Sequence, residues 1–340
     1  MIIISLITTF TIGTKKIREN HVYSNENQKE ILTVWHVDSF EGGTGSRRKF
    51  LLDVANDFEK NTNVIIAVNS YSVLEIEEKL EKGNYPDIIS FSNGINVSNL
   101  KKLNVEYNAY GAKIGKDSFA VPWCRGGYVL ISKNKSGIDK NVEHLIVSQS
   151  EYNFPVFALF EDGYSFNKID FYNPKIAYQK FLSEKNAVLL GTQRDVVRIS
   201  YTKLDYEVYA LKNYNDLFQY VGVCSDDKEK IKISNDFIDY LLSEKVQQKL
   251  VNLKLFSEIT EINFSDEVLN EMQKLTDFLT LPVFIDKGKI NEIKQTLYYD
   301  TMKFKDEYLK IKKLYVKPWK KVQNIVKWYK EKSGLFRIFW

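Results

Sequence analysis

Between Ile31 and Ser92 the chain alternates β-rich runs with amphipathic stretches, and this alternation constrains the fold more than any other feature of the sequence. ILTVW (31–35) is a run of strand formers. It gives way to the loop HVDSFEGGTGS and then to a helical pattern with Phe50, Leu51, Val54, Ala55 and Phe58 on one face. Ser46 stands where that helix needs an N-cap. NVIIAV (63–68) reads as the next strand, a second helix is expected around Leu74 to Leu80, and PDIISFS starts a third strand from Pro86. Strands separated by helices demand crossovers, and right-handed crossovers lay such strands side by side in a parallel sheet.

A second α/β unit follows. FAVPW (119–123) and GGYVLIS (126–132) are strand-like, FPVFALF (154–160) suits either a strand or a buried helix, and a helix is expected from Pro174 to Leu182. AVLLG (187–191) and FQYVGVCS (218–225) are further strands. The latter precedes an amphipathic helix with Phe237, Ile238, Leu241, Leu242 and Leu250 facing inward. After Phe264 the chain reads as helical, broken at Pro282, Gly288 and Pro318. There is no internal repeat, and 340 residues suit two domains of ordinary size better than one core.

Hydrophobic residues make up 44% and charged residues 27%, the balance of a soluble globular chain. The net charge of +4 arises from 48 basic and 44 acidic side chains that are interspersed, so there is no nucleic-acid footprint. The uneven region is the end, where lysines from Lys312 to Lys332 alternate with Tyr315, Trp319, Val322, Ile325, Val326 and Trp328; this pattern fits a solvated helix with one buried face better than a membrane-surface patch. Two cysteines exclude a disulfide-rich scaffold and a four-cysteine zinc site, and His21, His36 and His144 lack metal spacing, so no metal or organic cofactor is expected. The apolar run from Ile2 to Gly13 is too short to span a bilayer and long enough for the core of an export signal, although Lys15, Lys16 and Arg18 follow it instead of preceding it. Residues 1–30 are therefore expected to be an export segment and polar tether, and the location extracellular, at the cell surface or membrane-associated.

ILTVWH, ANDFEKNTNV, YPDIISFS, FAVPWCRGGYVLIS, YQKFLSEKNAVLLGTQRD and NDFIDYLLSEKVQQKL, in this order across residues 31 to 256, resemble the extracellular solute-binding proteins of ABC importers, in particular the family that includes maltose-type sugar receptors. The resemblance implies a type II periplasmic-binding-protein-like fold, α/β in class, with a ligand cleft between two lobes that each hold a mainly parallel sheet flanked by helices. Lobe 1 would comprise 31–118 plus 222–262 and lobe 2 would comprise 119–221 plus 263–340, with crossings at Phe119–Trp123 and Tyr220–Ser225. It further implies a monomeric receptor that closes about its hinge on a small-molecule solute and delivers it to a membrane permease, without enzymatic activity. A receptor that presents its ligand to a membrane sensor is an alternative, and a hydrolase or lyase a more distant one, since nothing places His36 or His144 beside Cys124 as a base. Because the family sets the two crossings side by side, Cys124 and Cys224 become candidates for a disulfide.

The loop Asp38–Arg48 lies between a strand and its helix, so its amides can face a ligand's oxygens. GGTGSRR lacks the Lys-Ser or Lys-Thr pair of a phosphate loop, and Gly43 with its neighbours serves a plain turn equally well. Asp38, Glu41 and Arg47 are the candidate hydrogen-bonding groups. Trp35 and Trp123 offer ring faces to a sugar or to the core, while Arg125 and Tyr128 follow the first crossing and would look across the cleft. In GTQRD, Gln193 and Arg194 fall where the family commonly places ligand contacts, although Arg194 can instead pair with a nearby carboxylate. Asp87, at the start of a strand, reads as a backbone cap. The tryptophans and tyrosines favour carbohydrate, whereas Arg47, Arg125 and Arg194 leave an anionic solute open, because guanidinium groups suit carboxylates.

Overall fold

A computed structural model describes residues 29–103, 111–114, 116–133, 137–285, 287–299, 301–315 and 317–318. The expected export segment and tether up to residue 28, and nearly all of the lysine-rich end, from Trp319 onward, lie outside the described residues, while Glu30 already belongs to the first strand.

The first sheet grows from the alternating segment. Strands β1 (Glu30–Val37), β2 (Val64–Tyr71) and β3 (Ile88–Phe91) are parallel, with β1 between the other two. β3 is buried along its whole length, which explains its unbroken apolar run. Helix α1 (Arg47–Glu59) joins β1 to β2. Ser46 caps it by accepting the N–H of Lys49 at 3.1 Å, and Phe50, Leu51, Val54, Ala55 and Phe58 are its buried face. Burying each of the larger side chains contributes about 1.5–3 kcal/mol. Helix α2 (Val73–Glu81) returns to β3 behind a capping box between Ser72 and Glu75. Asp87 caps backbone as expected, accepting the N–H of Thr33 at 2.8 Å.

Two later strands complete this sheet. β4 (Val121–Arg125) pairs with a strand that comes almost a hundred residues later and itself lies antiparallel to β3. The chain leaves β4 through Gly126 and Gly127 and enters the second sheet at β5 (Tyr128–Ser132). There it forms β6 (Asn141–Ser148), α3 (Pro155–Glu161), β7 (Ser165–Tyr172), α4 (Pro174–Ser183), β8 (Val188–Thr192), α5 (Gln193–Ser200) and β9 (Glu207–Ala210), before returning as β10 (Phe218–Val223), the late partner of β4. The sheet orders are β2-β1-β3-β10-β4 and β9-β5-β8-β6-β7. β6, β7 and β8 are parallel, and β5 runs against β8.

FPVFALF is a helix, α3, because Pro155 occupies its first turn, where a missing N–H costs nothing. The segment carrying Trp123 stays in the first sheet, so the first passage between sheets falls at Gly126–Gly127 and the return at Leu211–Leu217, a few residues from the expected crossings. Behind β10, helix α6 (Lys228–Leu241) buries Phe237, Ile238 and Leu241 and sets Phe237 edge-on against Phe58, 5.5 Å between centroids. Tyr308, from the helix Thr301–Tyr315, packs on Phe157 of α3 at 4.5 Å, and Lys312 from the same helix pairs with Glu161 at 2.5 Å.

Candidate functional site

Parallel strands deliver their connecting loops and the amino ends of the following helices to one edge of a sheet. Here the carboxyl edge of β1 faces those of β6, β7 and β8. Between them lies a cleft of about 230 Å³, lined by the loop 38–45 and Arg47 from one side and by Ser150, Pro174 and Arg194 from the other, with Leu255 also in its lining. Ser150 follows β6, Pro174 opens α4 after β7, and Arg194 sits in the first turn of α5 after β8.

Arg47 is 8% exposed and is anchored from its own loop. Its Nη2 donates to the carbonyl of Phe40 at 2.7 Å and pairs with Asp38, and its guanidinium lies 4.0 Å from the Phe40 ring centroid. Its Nη1 is buried without a hydrogen-bond partner among the described residues. Opposite, Arg194 pairs with Glu41, and Arg198 stands 3.8 Å from the same carboxylate. This contact joins a loop of the first sheet to a helix of the second. Arg198 also holds Asp195 at 3.1 Å; burial pushes the Asp195 carboxyl up to about 6, although the Thr192 N–H and Arg198 pull the other way.

Gln193 is completely buried. Its Oε1 accepts the N–H of Gly127 at 3.0 Å, and a Cβ on Gly42 would come within 3.1 Å of its Nε2. One side chain therefore touches both the passage between the sheets and the glycine-rich loop. Gly43 has φ of +66°, and a Cβ there would overlap the carbonyl of Leu253, which accepts the N–H of Thr44 at 2.6 Å. Only glycine fits that close approach.

Asp38, Glu41, Gly43, Arg47 and Arg194 thus line one cleft, with Gln193 packed behind it. The other expected residues do not reach it. Trp35 leans edge-on against Tyr71, 5.2 Å between centroids, under the ammonium of Lys79. Trp123 is buried in the core, stacked on Phe50 at 5.4 Å, and donates to Ser90 Oγ at 3.0 Å. Arg125 is locked inside: it pairs with Glu258, donates to the carbonyls of Gln273 and Leu275 at 2.6 and 3.0 Å, and lies between Phe256 and Phe278. Tyr128 donates its buried hydroxyl to Asp216. Each is a large or polar group whose partner comes from far along the chain, so its position in the sequence says little about which way it faces.

Asp216 is a residue that the sequence did not reveal. Fully buried in the return passage, it accepts from the hydroxyls of Tyr128 and Tyr214 and from the N–H of Phe154, while its carbonyl accepts the amides of Asn93 and Asn153 at 3.2 and 3.0 Å. Burial raises its carboxyl to about 6, against the pull of those donors. Ser39, Phe40, Thr44, Ser150 and Pro174 also line the cleft; Ser150 follows β6, whose mixed run NVEHLIVS carries little strand signal of its own.

Cys124 and Cys224 are free and buried. The antiparallel pairing puts Gln219 beside Cys124, so Cys224 lies five residues further along that strand's path, on the order of 15 Å away and far beyond disulfide reach. Burial pushes the Cys224 thiol up to about 12 and that of Cys124 higher still. His36 is also buried, and its pKa falls to about 4 through desolvation. Ser90 Oγ accepts from Trp123 and Gln219, so its own proton goes to His36 Nδ1, 3.1 Å away, and the neutral ring keeps its hydrogen on Nε2.

No family model matches the chain, and no curated protein matches its sequence. Solved structures do match. The GacH receptor of Streptomyces glaucescens, solved unliganded and with acarbose, superposes with a TM-score of 0.55 at 12% identity, over 78% of this chain and 92% of that one. The maltose-binding protein MalE of Listeria monocytogenes gives 0.54 at 15% identity, over 78% and 89%. Iron-bound HitA of Pseudomonas aeruginosa gives 0.53 at 12% identity, over 78% and 98%. At such identities the likeness speaks for architecture, and it agrees with the two sheets and their two passages: the chain has the type II periplasmic-binding-protein-like fold.

Proposed function

We propose that the protein is an extracytoplasmic solute receptor that closes over a compact polar molecule and delivers it unchanged to a membrane transporter. The observation that carries this reading is the cleft itself, placed where the carboxyl edges of two sheets meet and where two chain passages permit a hinge. The structural neighbours, which include receptors solved with acarbose and maltose and an iron-bound protein, support a binding role and differ in what they hold.

The cleft's volume is below the ~300–1,000 Å³ of pockets for drug-sized ligands, which suits a single ring or a short chain better than an oligosaccharide. Trp35 and Trp123, the rings that pointed to carbohydrate, pack elsewhere, and among the described residues Phe40 is the aromatic side chain that lines the cleft. Hydroxyls of Ser39, Thr44 and Ser150 and the charges of Asp38, Glu41, Arg47 and Arg194 supply hydrogen bonds for orientation. Binding without chemistry is supported by Cys124, which sits in β4 with its thiol held protonated.

Thermal unfolding of the full chain against neutral monosaccharides, amino acids, carboxylates and inorganic phosphate tests the proposal. A saturable rise with one chemical class, equivalent to about 2.7 kcal/mol at a hundred times Kd, is expected, with the compound recovered intact. No rise with any class, or recovery of a converted product, overturns it.

A further inference from the structure

Some helices in this molecule answer the positive charge of their amino ends with an acidic residue, and others, including α3 and the helices Lys287–Tyr299 and Thr301–Tyr315, do not. α2 carries Glu75 in its first turn, α5 Asp195, α6 Glu229 and the helix Glu267–Gln273 its leading glutamate. Helix α1, of 13 residues, has no acidic residue there; its first turn reads Arg47, Arg48, Lys49. Three cations are thus added to a dipole end that already carries roughly half a positive charge. Ser46 satisfies the N–H of Lys49, which leaves the amides of Arg47 and Arg48 without an acceptor inside the helix. Helix α4, which enters the cleft at Pro174, also lacks an acidic first turn.

The side chains lining the cleft balance, Asp38 and Glu41 against Arg47 and Arg194. The amino ends of α1 and α4 then tip the cleft positive by on the order of one charge. An independent sign comes from Arg47, which is more than nine-tenths buried at the cleft wall with one guanidinium nitrogen unmatched among the described residues. A buried guanidinium nitrogen without an acceptor is costly, and a charged partner restores it. Asp38, the carboxylate that engages the other nitrogen, has its side chain 46% exposed and so has freedom to give way.

We infer that the solute carries an acid group, a carboxylate or a phosphate, received by the Arg47 guanidinium and the first-turn amides of α1, with Arg194 closing on it from the second sheet. This rests on the receptor reading above and narrows it to a chemical class.

Calorimetric titration of the full chain with D-glucose, D-glucuronate and inorganic phosphate tests the assignment, since the first two differ in the acid group alone. Glucuronate or phosphate is expected to bind at least tenfold more tightly than glucose. Arg47→Gln should weaken the acid at least tenfold, and Arg47→Lys, which keeps the charge but loses the fork, should weaken it less. Binding of glucuronate alone identifies a carboxylate and of phosphate alone a phosphoryl group. If Arg47→Gln does not fold, as judged by circular dichroism, Arg194→Gln carries the same comparison from a half-exposed position. Glucose binding as tightly as glucuronate, or acid binding indifferent to both substitutions, overturns the acid-group inference and leaves the receptor reading intact. Failure of these three and of the wider panel of sugars and amino acids removes both.

Discussion

Arg125 and Asp216 are both buried and each ties several distant segments together. The Arg125 guanidinium is desolvated together with Glu258, and its remaining donors go to the carbonyls of Gly126, Gln273 and Leu275. Arg125→Ala strands a buried carboxylate, and urea denaturation should register a loss of about 3–5 kcal/mol; Arg125→Met with Glu258→Leu should recover most of it. Asp216 makes a pH prediction. Its folded value of about 6 lies above the ordinary 3.8, so protonation favours the fold, and the contribution is full below about pH 4 and is lost as pH rises through about 6. His36 acts in the opposite sense, full above 6.5 and lost as pH falls through about 4. Because His36 and Asp195 are common to both proteins, the stability difference between Asp216→Asn and the parent isolates Asp216. It should move in the variant's favour by up to about 3 kcal/mol between pH 4 and 6.5, whatever the fixed cost of the lost hydrogen bonds; a flat difference would refute the raised value.

Among elements, α1 makes the sharpest demand. Its first turn is electrostatically unfavourable for the helix and favourable for an anion, so stability and binding should respond to one substitution in opposite directions. Arg48→Glu, at an exposed position, should stabilise the fold by about 0.3–1 kcal/mol while lowering affinity for an acidic solute, readable as a higher Tm and a weaker titration on the same sample. This helix was also the most legible part of the chain: its cap, its buried face and the strands either side follow from local pattern. β6 and β7 were not legible. NVEHLIVS and SFNKIDFY mix charged and apolar residues, and the pairing that defines them connects segments more than twenty residues apart. The cleft was half legible for the same reason. Asp38, Glu41, Gly43 and Arg47 belong to a loop whose place is set by its neighbours in sequence, whereas Trp123, Arg125 and Tyr128 are turned inward by Phe50, Glu258 and Asp216, which no local pattern connects to them.

For the whole molecule, the contact between Glu41 and Arg194 spans the two halves, with Arg198 close behind. Both partners are partly solvated, at 22% and 34% side-chain exposure, so the pair is weak enough to open and is screened by salt. Glu41→Gln should therefore enlarge the radius of gyration of the solute-free protein in small-angle scattering, and raising the salt concentration should do the same to the parent but not to the variant. An unchanged radius in both cases would mean that the halves are held by the buried passages alone. Those passages have one further property. Gln193 fills the space that side chains at Gly42 and Gly126 would need and holds the N–H of Gly127, so its carboxamide senses loop and hinge together. It is a natural spectroscopic gauge: a single nitrogen-labelled side-chain resonance that would track how far the halves have turned, with no probe attached.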